Sequence, residues 1–142
     1  MTAYVDTSVL LRVALGQADA LPEWRKIDRG VTSALARVEG LRTLDRLRLR
    51  TRLADAEVGR RRAIILQMLD SLALVEVDSL VLDRAAQPQP TELGTLDAIH
   101  LATALLWRET MDGQLIMATH DVALATAAQA HGFRVVGVES GH

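Results

Sequence analysis

Short apolar runs alternate along the chain with apolar residues repeated at helical spacing. Apolar or β-branched runs predict five strands, at 3–6, 30–33, 72–77, 114–119 and 133–138. Apolar residues three or four apart predict helices at 9–16, from 34 onward, and at 53–70, 79–86, 95–109 and 121–132. Strands that alternate with helices are typical of a parallel sheet covered on both faces, so the pattern predicts an α/β fold.

A few capping and breaking residues mark the predicted boundaries. Ser33 and Thr95 are suitable N-caps for the helices that follow them. Pro88 and Pro90 interrupt the segment QPQPTELG, which is too short for a domain linker. We therefore expect a single domain over residues 1–142, a usual length for one hydrophobic core.

The composition narrows the class of protein. Hydrophobic residues make up 49% of the 142 positions, but no apolar run approaches the length of a membrane span. The start MTAYVDTSV lacks the basic residues of a secretory signal, so we expect a cytoplasmic protein with no membrane partner. Because the chain has no cysteine, a disulfide framework and a cysteine-ligated zinc site are excluded.

Charge is unevenly distributed along the chain. Positions 42–62 hold eight arginines against three acids, a local net charge of +5, whereas the remainder carries −7. Such segregation indicates either a phosphate-binding surface beside an acidic site or a solvated arginine-rich helix face. The candidate contacts to a polyanion or to a partner protein are Arg42, Arg46, Arg60, Arg61 and Arg62.

Four acids fall where a parallel sheet gathers its binding site. Asp6 ends the first strand and Asp121 follows the fourth, while Glu39 and Asp97 lie in early turns of two helices. Strand ends and the helix starts that follow them share the carboxyl edge of the sheet, where ligands bind. Each acid alone has a structural alternative, as a helix cap, a first-turn acid or, for Glu39, a partner of Arg42. All four at one edge favour a functional site.

Clustered carboxylates need a counter-charge, because their pKa values rise unless a cation holds them ionised. For oxygen ligands without cysteine the natural cation is Mg²⁺ or Mn²⁺, which suits phosphodiester hydrolysis. A phosphoaspartate enzyme of the phosphatase or response-regulator type fits less well. The only lysine, Lys26, precedes the second strand, and Ser8 stands where such a phosphatase has its second acid.

Four motifs give the chain a resemblance to PIN-domain proteins, and more narrowly to VapC-type toxins of type II toxin–antitoxin systems. They are YVDTSVLLR, TSALARVEGLRTL, TLDAIHLATAL and MATHDVALATAA, in this order over nearly the whole chain. The resemblance implies a three-layer α/β/α fold with a five-stranded parallel sheet of order 3-2-1-4-5. It also implies cleavage of RNA with Mg²⁺ (or Mn²⁺), a cognate VapB-type antitoxin that blocks the site, and commonly a homodimer.

The same resemblance assigns roles to individual residues. The family's catalytic acidic quartet is matched by Asp6, Glu39, Asp97 and Asp121. We expect Asp6, Asp97 and Asp121 to bind the metal, with Glu39 in support. The family's accompanying hydroxyls are matched by Thr7, Ser8 and Thr119. The alternative function is a non-catalytic PIN fold that binds RNA or a protein, although the presence of all four acids favours the enzyme.

Four further side chains are ambiguous. His100, one turn beyond Asp97, is interpreted as a structural group that supports the acids rather than as a general base. His120 is expected to be exposed and at most to touch substrate. Trp24 and Trp107 could stack on a base, but a half-buried core or dimer role is commoner for so large an apolar group.

Overall fold

The computed structural model describes residues 1–111 and 113–139, and its centre is a five-stranded sheet. The strands are β1 Thr2–Val5, β2 Arg29–Ser33, β3 Ala73–Val75, β4 Ile116–Ala118 and β5 Val135–Val136. Neighbouring strands are parallel and lie in the order β3-β2-β1-β4-β5. The α/β class and the strand order expected from the sequence are confirmed.

Six α-helices cover the two faces of the sheet within these described residues. They are α1 Thr7–Ala14, α2 Leu35–Thr51, α3 Asp55–Asp70, α4 Ser79–Ala85, α5 Thr95–Thr110 and α6 Val122–Ala130. A short 3₁₀ helix, Pro22–Lys26, lies between α1 and β2 and has no counterpart in the predicted pattern. Across the described part of the chain, no helix has both the length and the apolar character needed to cross a bilayer.

Several helix starts and N-caps differ from the prediction. The first helix begins two residues early, at Thr7, because Asp6 takes the N-cap position directly after β1. Gly94, not Thr95, is the N-cap of α5, because the extended backbone at Gly94 already directs its carbonyl into the first helical hydrogen bond. Ser33 is not the N-cap of α2, because Ala34 takes that position, but its Oγ still accepts a hydrogen bond of 3.1 Å from the Leu35 N–H at the start of the helix.

Three strands are shorter than predicted. β3 and β4 have three residues each and β5 has two, whereas each apolar run has six. β3 stops at Val75 because its partner β2 ends at Ser33 and the chain turns into α2. A strand at the edge of a sheet has one neighbour, so its ladder ends where that neighbour leaves the sheet.

The core lies on both faces of the sheet and depends on the alternation along β1. Ala3 and Val5 pack into the apolar cluster formed with α1, α2 and α3, and Tyr4 packs into the cluster formed with α5 and α6. Successive side chains of a strand point to opposite faces, so this short buried strand serves both layers. Asp6 directly follows this central strand and therefore lies at the carboxyl edge of the sheet.

Candidate active site

A cleft of about 420 Å³ at the carboxyl edge of the sheet is lined by all four of the predicted acids. Asp6 directly follows β1, and Asp121 lies between β4 and α6. Glu39 lies on α2, and Asp97 lies in the first turn of α5. The structure thus brings together four acids from distant parts of the chain, at the edge where the strand ends and helix starts meet.

Asp6 sits at a helix start, but its side chain does not cap the helix. Instead its Oδ2 atom accepts a hydrogen bond of 2.7 Å from Ser8 Oγ and one of 2.9 Å from Thr119 Oγ1. Its other oxygen, Oδ1, lies 3.6 Å from His100 Nε2. The carboxylate is 5% exposed, so a buried charge is held in one orientation by two hydroxyls. The arrangement favours a functional role over the capping alternative.

Asp121 is both a helix cap, which is the structural alternative, and an acid of the cleft, which is the functional one. It is the N-cap of α6, where its Oδ1 accepts a hydrogen bond of 2.8 Å from the Leu124 N–H, and it also lines the cleft. Its own N–H donates to Thr119 Oγ1 over 3.0 Å. Because Thr119 also donates to Asp6, one buried hydroxyl connects two of the acids and fixes their spacing.

Glu39 is held by His100 and Thr7. Its Oε1 lies 2.5 Å from His100 Nε2 and accepts a hydrogen bond of 2.8 Å from Thr7 Oγ1. Burial raises the pKa of Glu39, but the hydrogen bond and charge of His100, with help from Thr7, outweigh it and the pKa is lowered. Burial lowers the pKa of His100, yet its hydrogen bond to Glu39 and the nearby carboxylates leave that pKa raised. These opposite shifts couple the two side chains, because each group's contact with the other favours its charged form.

The surroundings of Asp97 disfavour its charged form. Burial and the charges of Asp121 and Asp6 raise the pKa of Asp97 to about 6, against the opposing effect of His100. The side chain is only partly buried and lines the cleft. Its negative charge is therefore costly to the folded protein in the absence of a cation.

Asp97→Asn should stabilise the protein near neutral pH when no divalent cation is present. Because the pKa of Asp97 is about 6 in the folded protein and about 3.9 in the unfolded chain, the cost of its charge develops as pH rises from about 4 to about 6. After discounting for solvent screening, we expect a gain of about 1 kcal/mol in the free energy of unfolding at pH 7.5. Urea unfolding in EDTA at pH 7.5 and pH 4 measures the effect.

The matched control for this stability measurement is Asp70→Asn, the same change at the exposed end of α3. It should leave the free energy of unfolding nearly unchanged at both pH values. The gain in Asp97→Asn should shrink at pH 4, where the carboxyl is protonated in the folded protein. An equal gain at the two pH values would mean that charge at Asp97 is not its source.

Two arginines on α2, Arg42 and Arg46, line the cleft. Arg42 donates to Asp45 over 3.2 Å, and Arg46 donates to Thr43 Oγ1 over 3.2 Å. Arg42 is therefore paired with Asp45, and the expected alternative of a pair with Glu39 is wrong. Both guanidinium groups lie on the cleft wall, in reach of a polyanion that enters it.

The arginines on α3 lie outside the cleft lining. Arg60 and Arg61 both bind Glu57, each with a nitrogen–oxygen distance of 2.7 Å, and Arg62 is exposed. Their charge is thus partly neutralised on their own helix. Among the arginines at positions 42–62, we therefore expect those on α2, rather than those on α3, to contact a ligand in the cleft.

The remaining ambiguous side chains have structural surroundings. His120 is not exposed as expected, because its Nδ1 donates a hydrogen bond of 2.7 Å to the Gly137 carbonyl and its Nε2 is buried. Trp24 packs against the core on the α1 face. Trp107 packs on the opposite face, with the Arg29 guanidinium 5.2 Å from the centre of its ring. Both tryptophans thus have the core role.

The donor chemistry of the cleft suits a hard divalent cation. The acids supply only oxygen atoms, and burial together with the charges of Asp121 and Asp6 raises the pKa of Asp97, an effect that a bound cation would oppose. Within residues 1–111 and 113–139, no group of three or more acidic or histidine side chains lies close enough together to hold a metal ion. Binding would therefore require the carboxylates to approach one another. The residues that would hold the ion are Asp6, Asp97 and Asp121.

Comparisons with known proteins identify the family. A family model for the PIN domain matches residues 3–136, and the chain belongs to the PIN-domain family. It is similar to Ribonuclease VapC46 of Mycobacterium tuberculosis, with 39% identity over 137 residues, 94% of this chain and 95% of that protein. The resemblance to VapC-type PIN-domain proteins is confirmed. A toxin–antitoxin complex from Klebsiella pneumoniae shares the fold, with a TM-score of 0.65 and 19% identity over 97% of this chain and 96% of its own.

Proposed function

We propose that this protein is a metal-dependent endoribonuclease toxin of a toxin–antitoxin system that hydrolyses RNA phosphodiester bonds in the cleft. The observation that carries the proposal is the convergence of the acids on one cleft in a PIN-domain chain. These acids are Asp6, Glu39, Asp97 and Asp121. The similarity to a protein named as a ribonuclease supports the reaction class.

Hydrogen bonds within the protein orient two of the acids in the absence of substrate. Asp6 and Asp121 each have one oxygen fixed by hydrogen bonds, which orients their second oxygen and reduces the cost of ordering the site. A divalent ion held by Asp6, Asp97 and Asp121 would supply polarisation of the phosphate and of the attacking water.

Glu39 is the acid we propose to act on the water. The two hydrogen bonds of its side chain both use Oε1, and Glu39 lines the cleft, so we assign Oε2 to accept a hydrogen bond from the attacking water. As the water oxygen bonds to phosphorus, the bond to the leaving oxygen breaks and that oxygen takes up a proton. The role of the carboxylate is to aim the water and to receive its proton.

The same negative charge offers a route to inhibition. We propose that a VapB-type antitoxin places a basic side chain among the carboxylates and competes there with the divalent cation. A structural relative that forms part of a toxin–antitoxin complex supports a partner of this kind. A homodimer, implied by the family resemblance, is the form proposed for the free protein.

Purified protein freed of antitoxin should cut a subset of RNAs from its native host when Mg²⁺ or Mn²⁺ is supplied. EDTA should stop the reaction, because the carboxylates alone cannot neutralise charge on the phosphoryl oxygens. Cleavage is measured by mapping the new RNA ends. Undiminished cleavage in EDTA would contradict the metal-dependent route, and RNA binding without any cleavage would favour the non-catalytic module.

Neutralising the arginines of the cleft wall should weaken RNA binding and its dependence on salt. Arg42→Gln combined with Arg46→Gln should lower the slope of log K against log salt by about 1.4, since each phosphate contact to a single strand contributes about 0.7. The measurement uses filter binding in a cleavage-deficient Asp97→Asn background. Arg60→Gln with Arg61→Gln is the matched control and should change the slope less. A larger change in that control would place the RNA on α3.

A further inference from the structure

A chain of buried polar contacts runs from β1 to the cleft. Tyr4 Oη lies 2.6 Å from His100 Nδ1, and His100 Nε2 lies 2.5 Å from Glu39 Oε1. Tyr4 and His100 have no exposed surface, and their rings meet edge to face at 71° with their centres 5.8 Å apart. Thr7 donates to the same Oε1 atom from the start of α1. Three elements, α1, α2 and α5, therefore meet at one carboxylate oxygen, and β1 is joined to them through Tyr4 and His100.

We propose that Tyr4 and His100 are positioning residues that fix Oε1 of Glu39 and so present its Oε2 to the attacking water in the cleft. The proposal rests on the nuclease function proposed above. His100 Nε2–H donates to Glu39, and Tyr4 holds the imidazole ring from behind at Nδ1. His100 acts through Glu39 and touches neither water nor RNA.

The need for such a device follows from the side chain of Glu39. A glutamate on a helix has three rotatable bonds, and the Glu39 side chain is 23% exposed, so solvent competes for its carboxylate. The other carboxylates of the cleft also repel it. A charge-assisted hydrogen bond from a wholly buried donor opposes both effects, because that donor has no water to bond instead. Misplacing a catalytic group by about 1 Å can lower a rate on the order of 100-fold.

The packing explains why His100 itself cannot turn away. It lies on α5 among completely buried neighbours, and Tyr4 reaches it from the central strand of the sheet. The Tyr4 hydroxyl meets Nδ1 over 2.6 Å, so any rotation of the imidazole would break a buried hydrogen bond. The position of Glu39 is thus tied to the sheet rather than to the surface of α2.

The kinetic test separates positioning from general stabilisation. His100→Leu should lower kcat about 10- to 100-fold with KM for RNA unchanged, the scale of losses that residues behind catalytic groups produce. In a Glu39→Gln background the same change should have no further effect on kcat, because the carboxylate that His100 positions is already gone. His100→Gln should recover part of the rate, since its amide nitrogen can reach Oε1. Equal losses in both backgrounds would overturn the proposal.

Tyr4→Phe tests the rear contact and removes only the hydroxyl. It should lower kcat about threefold to tenfold with unchanged KM, less than His100→Leu does. It also keeps the core shape, so it remains informative if His100→Leu fails to fold. An unchanged kcat in Tyr4→Phe would remove Tyr4 from the proposal.

A second measurement does not depend on RNA cleavage. In ¹⁵N–¹H spectra of the whole, metal-free protein, Glu39→Gln should shift the His100 Nε2 resonance, and Tyr4→Phe should shift Nδ1. Glu57→Gln, the same change on α3, should shift neither. If the resonances respond but no RNA is cut, the proposed function fails and the contact chain stands. If His100 does not respond to Glu39→Gln, the positioning proposal fails whatever the activity.

Discussion

Asp6→Asn is expected to remove RNA cleavage almost completely while it leaves the fold intact. Asparagine has the same shape, and its amide oxygen can still accept the hydrogen bonds from Ser8 and Thr119. The amide nitrogen then takes the place of Oδ1, which removes the buried negative charge and puts a donor beside His100. We expect the single-turnover rate to fall at least about 100-fold, the scale on which changes around a metal-binding group act.

The expected loss in Asp6→Asn is large because Asp6 is the acid that the fold constrains most. It is the most buried of the four, and both hydroxyls that orient it are supplied by residues at the same sheet edge. Asp70→Asn is the matched control, on an exposed site of α3, and should cut RNA at the wild-type rate. A rate in Asp6→Asn within threefold of this control would show that the cleft is not the active site.

Isothermal titration calorimetry adds a readout of Asp6→Asn that is independent of RNA. If Asp6 binds the cation, the variant should lose affinity for Mg²⁺ and Mn²⁺ that Asp70→Asn retains. A variant that loses cleavage but binds the ion as well as wild type would place Asp6 in substrate alignment instead. The two outcomes separate the metal from the reaction.

The positions of the four acids could be predicted because they follow a local rule. A run such as AYVD ends in a charge, and a parallel sheet collects the ends of its strands at one edge. Asp121 shows the limit of that rule, because it caps α6 and lines the cleft at the same time. Capping and a place in the functional site are alternatives in the sequence, whereas in the structure Asp121 has both roles.

The contacts behind the acids could not be predicted because they join residues far apart in the chain. Tyr4 and His100 are separated by 96 positions, and the apolar pattern identifies Tyr4 only as a core residue. Ser8 Oγ accepts from the backbone N–H of His120, 112 positions away, and this contact helps to hold His120 in the partly buried place that the sequence missed. No local spacing encodes such pairs.

Strand lengths were overestimated for a related reason. An apolar run records burial, but a strand also needs a partner for each residue. Leu72 is apolar because it packs beneath the sheet near Gly30, although it lies outside β3. An apolar run therefore does not determine how many of its residues pair in the sheet, and Leu74 within β3 is exposed although it is apolar.

Gly137→Ala is expected to destabilise the protein by about 3 kcal/mol, from left-handed backbone strain together with overpacking. Gly137 has φ of +106°, a conformation that side chains with a Cβ rarely adopt. A Cβ at this position would lie 2.3 Å from the Thr119 carbonyl oxygen and 3.4 Å from His120 Nδ1. The obstacle is backbone, so the end of β4 would have to move away from β5.

Thermal unfolding measures the effect of Gly137→Ala, and we expect the melting temperature to fall by about 10 °C. Gly59→Ala is the matched control, because an added Cβ there meets nothing within 4 Å and the position lies inside α3. That change should raise the melting temperature by about 3 °C through better helix propensity. The same substitution therefore has opposite signs at two positions for stated physical reasons.

The consequences of Gly137→Ala should extend to the active site, because Thr119 is both the residue it displaces and the donor that orients Asp6. Cleavage measured well below the melting temperature should fall in Gly137→Ala and stay at the wild-type level in Gly59→Ala. A destabilised variant with full activity would mean that Asp6 keeps its orientation without Thr119. A variant with an unchanged melting temperature would mean that the close approach of Gly137 to Thr119 does not constrain the fold.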